Sequence, residues 1–267
     1  MTSLKFIFRA DKTNVGDWWC PPFRYFPFKP SVIGDILDQS FSLENTKTLI
    51  LGGGGIGSDF FRPFLKEIEK KNIETTVLWG GGVDVKVIKN ELLTSKEQDL
   101  HGNYFDFMTE VGTRVFSSPQ KFTYIPCTSC MNNLFFKYRE VKPKHLLGVY
   151  SHKRVPLLEN DDKDIYPRQD NNGDDLEEKL KFLASCEYII TNTYHGLYWA
   201  TLLERKVIVL PFKSGLFSFK YSPVFCFDGK ITDELLNKAR IHTGVLEESR
   251  KLNFGFYKYL ADKYDLV

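Results

Sequence analysis

Apolar residues in this chain come in short unbroken runs, most of them closed by glycine or a small polar residue. Leu4 to Phe8, Thr48 to Leu51, Thr75 to Trp79, Val111 to Phe116 and Phe122 to Pro126 are the runs of the first half. Runs of this length without polar alternation predict strands buried on both faces, as in parallel sheets. After the second run, Phe60, Phe61, Phe64, Leu65 and Ile68 recur at helical spacing among Lys66, Glu67, Glu69, Lys70 and Lys71, predicting an amphipathic helix. A polar, proline-bearing joint covers Tyr138 to Lys144, and the pattern then restarts. A strand at Leu146 to Tyr150 is followed by a polar loop to Gly173, a helix at Leu176 to Ser185 and a strand at Tyr188 to Ile190. Helical spacing over Leu197 to Leu203 and a strand at Val207 to Leu210 come next. From Asp233 the spacing predicts one or two amphipathic helices with Leu246, Leu252, Phe254, Phe256, Tyr257, Leu260 and Tyr264 buried. Two strand-and-helix series flanking one joint predict two α/β domains, residues 1–142 and 143–267, the second including the C-terminal helices.

Composition narrows the function classes. The 267 residues suffice for one large domain or two smaller ones. Net charge is +2 and no dense Lys/Arg run occurs, so nucleic acid is not an expected partner. Aromatic content of 15%, with 23 Phe and 13 Tyr, suits a filled core and also a carbohydrate-handling surface. The five cysteines are an odd count, and Met1 to Arg9 holds only Phe6-Ile7-Phe8 as an apolar run. Reduced thiols and a cytoplasmic location are therefore expected.

The chemistry concentrates at turns after strands, where open α/β sheets gather ligands. In Thr191-Asn192-Thr193-Tyr194-His195-Gly196 a histidine falls in the first turn of a helix behind good N-cap residues. Such a turn can hold an anion, and the histidine can donate a proton to whatever the anion is attached to. Asn14-x-Gly16-Asp17 follows the first strand. Gly16 permits an unusual backbone angle and Asp17 could accept a proton from a sugar hydroxyl, the alternative being a self-bonded Asx turn. Trp18 to Phe26 is either an acceptor platform or core packing. Gly52 to Gly57 lacks the Gly-Lys-Ser/Thr of a P-loop and is either a tight turn or a close approach to a ligand. Cys127-x-x-Cys130 has no second pair at zinc spacing, so no metal site is expected. In Glu110-x-x-x-Arg114 the arginine either pairs with the glutamate or meets an anion through its fork of donors.

In their order, Asn14-x-Gly16-Asp17, Gly52 to Gly57, Val111-Gly112-Thr113-Arg114, and Tyr194-His195-Gly196 with Ala200 and Val207 to Leu210 resemble the polysaccharide pyruvyl transferase family, over roughly residues 5 to 225. The resemblance implies a GT-B-like fold, two Rossmann-like domains facing a central cleft. It implies transfer of the enolpyruvyl group of phosphoenolpyruvate onto two hydroxyls of one sugar, giving a pyruvate ketal in surface polysaccharide biosynthesis. By resemblance His195 serves as acid or donor-binding group and Arg114 grips the donor anion. Asp17 is the base by its placement. The donor site is expected to include Thr193, Tyr194 and Gly196, and the acceptor side Asn14, Gly16, Trp18, Trp19, Gly54 and Gly55. The partner implied is a glycan or lipid-linked saccharide acceptor, with surface aromatics allowing peripheral membrane contact. No redox cofactor is required. This chain departs from the family by having Thr193 where an arginine precedes the histidine, with Lys153, Arg154, Lys213 and Lys220 as candidate replacement cations. It also reads Pro126-Cys127-Thr128-Ser129-Cys130 in place of an aspartate-proline segment. A GT-B glycosyltransferase using a nucleotide sugar, with Glu204 as its nearest helix carboxylate, and a noncatalytic glycan-binding protein on the same fold are the competing readings.

Overall fold

The apolar runs do form buried parallel strands, in two separate sheets. The computed structural model describes residues 4–83, 102–117, 121–157, 166–212 and 218–267. The first sheet contains β1 (Leu4–Phe8), β2 (Ser31–Asp35), β3 (Thr48–Gly52), β4 (Thr75–Gly81), β5 (Glu110–Thr113) and β6 (Thr123–Tyr124) in the order β2-β1-β3-β4-β5-β6. The second contains β7 (His145–Ser151), β8 (Arg168–Asp170), β9 (Cys186–Thr191), β10 (Lys206–Val209) and β11 (Val224–Phe225) in the order β11-β10-β9-β7-β8. Every ladder is parallel. The chain is thus a mixed α/β protein with two parallel sheets.

Each sheet starts with its first strand inside and its second on one edge, then grows in the opposite direction. The strand order therefore reverses between β1 and β3 in one sheet and between β7 and β9 in the other. Loops leaving the two strands at such a point diverge and open a crevice beyond their carboxyl ends.

Eight α-helices connect and cover the strands among the described residues: α1 (Val15–Trp19), α2 (Arg62–Lys70), α3 (Gly102–Phe105), α4 (Leu134–Arg139), α5 (Leu176–Ala184), α6 (Tyr194–Leu202), α7 (Asp233–Lys238) and α8 (Val245–Tyr264). α6 is apolar on all sides and every one of its residues is buried. Such a helix has no solvent face and belongs in a core. Its cluster joins both sheets, with Val15, Cys20, Cys127 and Cys130 packed among Tyr150, Leu180, Leu197 and Trp199. α8 was expected with the C-terminal half. Its face Phe256, Tyr257 and Leu260 instead packs with Leu4, Phe6, Ile50, Val77 and Trp79 of the first sheet. Asn253 anchors it there, accepting from Trp79 Nε1 at 2.9 Å and donating to Pro126 O at 3.1 Å.

Three local expectations are corrected. Asn14 to Asp17 is not an open Asx turn but the start of α1, and Gly16 is absent from the residues with positive φ. Phe254 is 50% exposed, because the buried stripe of α8 runs through Ser249, Asn253, Phe256 and Leu260. The edge strands β2, β8 and β11 were not foreseen. No described helix is long and apolar enough to cross a membrane.

Candidate functional site

The two reversal points face one another across a cavity of about 190 Å³. Arg9, Asn14 and Asp17 come from the end of β1 and its loop, Gly55 and Ile56 from the loop after β3, and Arg114 from the end of β5. From the second sheet, His152 follows β7, Asn171 follows β8, Asn192 to His195 follow β9, and Phe212 follows β10. These groups therefore converge from the carboxyl ends of seven strands.

Arg114 is the dominant charge. It is 4% exposed, and its Nε and Nη1 are buried with no hydrogen-bond partner among the described residues. Its guanidinium carbon lies 3.8 Å from the centroid of the Tyr194 ring, a cation–π contact across the two halves. The glutamate that could have neutralised it is committed elsewhere: Glu110 accepts from Tyr259, Lys263 and Tyr264 of α8. Gly82 supplies the room for this side chain, since a Cβ there would overlap Arg114 Nε. A buried cation without hydrogen-bond partners costs several kcal/mol unless an anion completes it.

His195 is held in the first turn of α6. Thr193 caps that helix, its hydroxyl accepting from Gly196 N at 2.8 Å. The imidazole packs 4.8 Å from Trp199 and places Nε2 3.4 Å from Cys127 Sγ. Its other face lies against Gly16, where any Cβ would overlap Nδ1. Gly16 is therefore a glycine for space, not for backbone angle. Burial, and then the charge of Arg114, hold His195 well below its ordinary value of 6.5, which favours the neutral ring.

Asp17 behaves in the opposite sense. It is half-buried, and desolvation pushes its carboxyl up to about 6 while Arg114 draws it down. Asn14 holds it, donating from Nδ2 to Asp17 Oδ2 at 2.8 Å. Asn14 Oδ1 accepts from Asn171 Nδ2 at 3.2 Å, and Asn171 Oδ1 accepts from Lys153 N at 2.8 Å. This run of amides spans both halves and sets the direction of the carboxylate. A group that titrates near neutrality, beside a neutral imidazole and a bare guanidinium, can take a proton from a hydroxyl while an anion is held alongside.

The expected site residues separate clearly. Asn14, Asp17, Gly55, Arg114, Thr193, Tyr194 and His195 line the cavity. Gly54, with φ 76, supports it from behind, against Asp17. Gly196 is packed against Thr191, Thr193 and Tyr150, and its amide is used by the cap. Trp18 and Trp19 are not among the lining residues: Trp18 packs on Phe8 under Arg24, and Trp19 Nε1 donates to Asp174 O at 2.6 Å. Lys153 does not replace the missing arginine, because its ammonium donates to Thr13 O and Oγ1 at 2.5 Å and pairs with Asp11. Lys220 pairs with Glu248. Lys213 lies outside the described residues. The cavity's cations come instead from the first sheet, Arg114 and Arg9, and Arg9 is bound to Asp35 at 2.5 Å.

Sequence reasoning missed Arg9, Phe61, Asn171 and Phe212 as lining residues, whereas Asn192 stood within the run read around His195, and His152, with Lys153 and Arg154, had the strand-end position of a possible anion site. Arg9 and Phe212 also follow strands that the apolar runs marked, while Asn171 follows an edge strand that none marked. Among the described residues no group of three or more His, Cys, Asp or Glu gathers as a metal site, and Cys127 and Cys130 are free, buried thiols.

No family model and no curated protein matches the chain. Among solved structures it is similar to an uncharacterized protein from Klebsiella pneumoniae subsp. pneumoniae NTUH-K2044, at 16% identity and a TM-score of 0.47, over 84% of this chain and 93% of that one.

Proposed function

We propose that this protein is a pyruvyl transferase of GT-B type that moves the enolpyruvyl group of phosphoenolpyruvate onto two hydroxyls of a saccharide. The observation that carries this reading is the buried, unpartnered Arg114 guanidinium beside Asp17 and His195. Phosphoenolpyruvate has a carboxylate and a phosphate on three carbons, and either anion completes the fork of Arg114. The bound anion offsets the charge of Arg114, the lesser of the two causes that depress His195, and its own negative charge favours the imidazolium that protonates the methylene carbon. C2 then becomes electrophilic. Asp17 takes the proton of the attacking hydroxyl and passes it to the phosphate that leaves C2, and a second hydroxyl of the same sugar closes the ketal as its proton returns to the His195 imidazole.

Cavity size favours this donor over a nucleotide sugar. About 190 Å³ is bounded by the described residues, below the roughly 300–1,000 Å³ of sites that enclose drug-sized ligands. Glu204, the carboxylate that a nucleotide-sugar reading would use, lies beyond the far end of α6 and outside the lining.

Titration of phosphoenolpyruvate into wild type and Arg114→Gln, with UDP for comparison, tests the reading. Truncating one partner of a desolvated charge pair costs on the order of 2–5 kcal/mol, so Arg114→Gln should weaken binding by at least about tenfold. The lost cation–π contact with Tyr194 is offset by relief of the unmet Nε and Nη1 hydrogen bonds, so the same variant should melt close to wild type. Binding of UDP in preference to phosphoenolpyruvate would reject the pyruvyl donor.

A further inference from the structure

A second concavity of about 630 Å³ lies on the first sheet, between the loop after β2 and the start of α2. Phe61 lines both this groove and the reactive cavity, so the two lie on either side of one side chain. Phe41, Phe60 and Phe64 form the rest of its aromatic lining, and Phe60 is 69% exposed with its ring 4.8 Å from that of Phe61. The opposing wall is a built feature rather than a loose loop. The nearly buried Lys5 ammonium donates to Ser42 O at 2.6 Å and Glu44 O at 3.0 Å. The charged lining residues are Asp38, Glu44 and Glu67 against Lys71 alone.

We propose that this groove binds the saccharide acceptor over several sugar units, with its terminal sugar reaching past Phe61 to Asp17. The inference rests on the reading above that the acceptor is a glycan. Ring faces are electron-rich and pack against the C–H faces of sugars, while carboxylates at the rim accept hydrogen bonds from hydroxyls. Three carboxylates against one ammonium disfavour an anionic lipid headgroup, which selects an uncharged saccharide chain over a membrane surface. The volume falls within the roughly 300–1,000 Å³ range of sites that enclose extended ligands. The acceptor platform is thus assigned to Phe41, Phe60, Phe61 and Phe64, and not to the Trp18 to Phe26 stretch.

The test takes the full chain to an array of neutral mono- to hexasaccharides of glucose, galactose, mannose and their N-acetylamino forms. Each retained series is then titrated calorimetrically into wild type and Phe60→Ala. Phe60 is exposed and outside the reactive cavity, so its loss leaves folding intact. Affinity should rise by about tenfold from monosaccharide to trisaccharide in a retained series, and Phe60→Ala should lose most of that gain. Phosphoenolpyruvate should bind both proteins within about twofold. No retained saccharide, or a length dependence indifferent to Phe60, overturns the proposal. So does a Phe60→Ala effect on phosphatidylglycerol-vesicle binding or oligomeric state in place of saccharide binding. Length-dependent saccharide binding without phosphoenolpyruvate binding would remove the pyruvyl donor and leave the groove standing.

Discussion

At the scale of single residues, the cavity holds two groups whose solvation is unfavourable: a guanidinium with bare nitrogens and a carboxyl raised to about 6. The carboxyl has a consequence for stability. Its folded-state value lies above the ordinary 3.8, so the folded chain binds this proton more tightly than the unfolded chain does. Ionised Asp17 therefore opposes folding at pH 7 to 8, and the penalty fades as pH falls through about 6 and is gone below 3.8. Asp17→Asn should raise unfolding free energy at pH 8 by on the order of 1–3 kcal/mol, with the gain vanishing near pH 4. The same variant should abolish turnover, whereas wild-type turnover should rise with pH through about 6. Urea unfolding at the two pH values, beside a pH–rate profile, checks both; a less stable Asn variant at pH 8 would remove the desolvated base. Asp17, Arg114 and His195 were legible in the sequence as strand-end and helix-start residues. Their charge states were not, because each depends on burial by segments distant in sequence.

At the scale of elements, local pattern was informative wherever burial was continuous. β1, β3, β4, β7, β9 and β10 are apolar runs because a parallel strand with neighbours on both sides is covered on both faces. The edge strands β2, β8 and β11 escaped notice, since an edge needs less apolar cover: Val32 and Ile33 of β2 are 54% and 48% exposed. In α8 the spacing identified the buried Leu246, Phe256, Tyr257 and Leu260 but assigned Phe254 inward in place of Asn253, which is fully buried. A polar side chain enters a core when partners await it, here Trp79 Nε1 and Pro126 O. Asn253→Ala should strand both groups and cost about 2–4 kcal/mol, read as a lower urea midpoint of the whole chain. A loss under about 0.5 kcal/mol would mean that α8 docks by its apolar stripe alone.

At the scale of the whole molecule, the two sheets are joined by more than the Tyr138 to Lys144 joint. Trp199 Nε1 donates to Ser129 Oγ at 2.9 Å, Tyr198 Oη to Cys127 O at 3.0 Å, and Val15 N to Asn171 O at 3.1 Å. Helix α6, a member of the second series, is buried in a cluster that both halves build. Separating the sheets would expose that core, so calorimetry should give a single unfolding transition with matching calorimetric and van't Hoff enthalpies. Two resolved transitions would mean that the sheets are independent folding units. The sequence by itself determined the α/β class, most interior strands, and the turns at which polar chemistry collects, because burial period and turn chemistry are properties of neighbouring residues. Only the tertiary structure decided that Arg114 lies on Tyr194, that Gly16 admits His195, that Asn171 orients Asp17 through Asn14, and that Phe61 lines both the groove and the cavity. These pairings join residues brought together by sheet order and by a shared core, and no local pattern encodes which strand ends will meet.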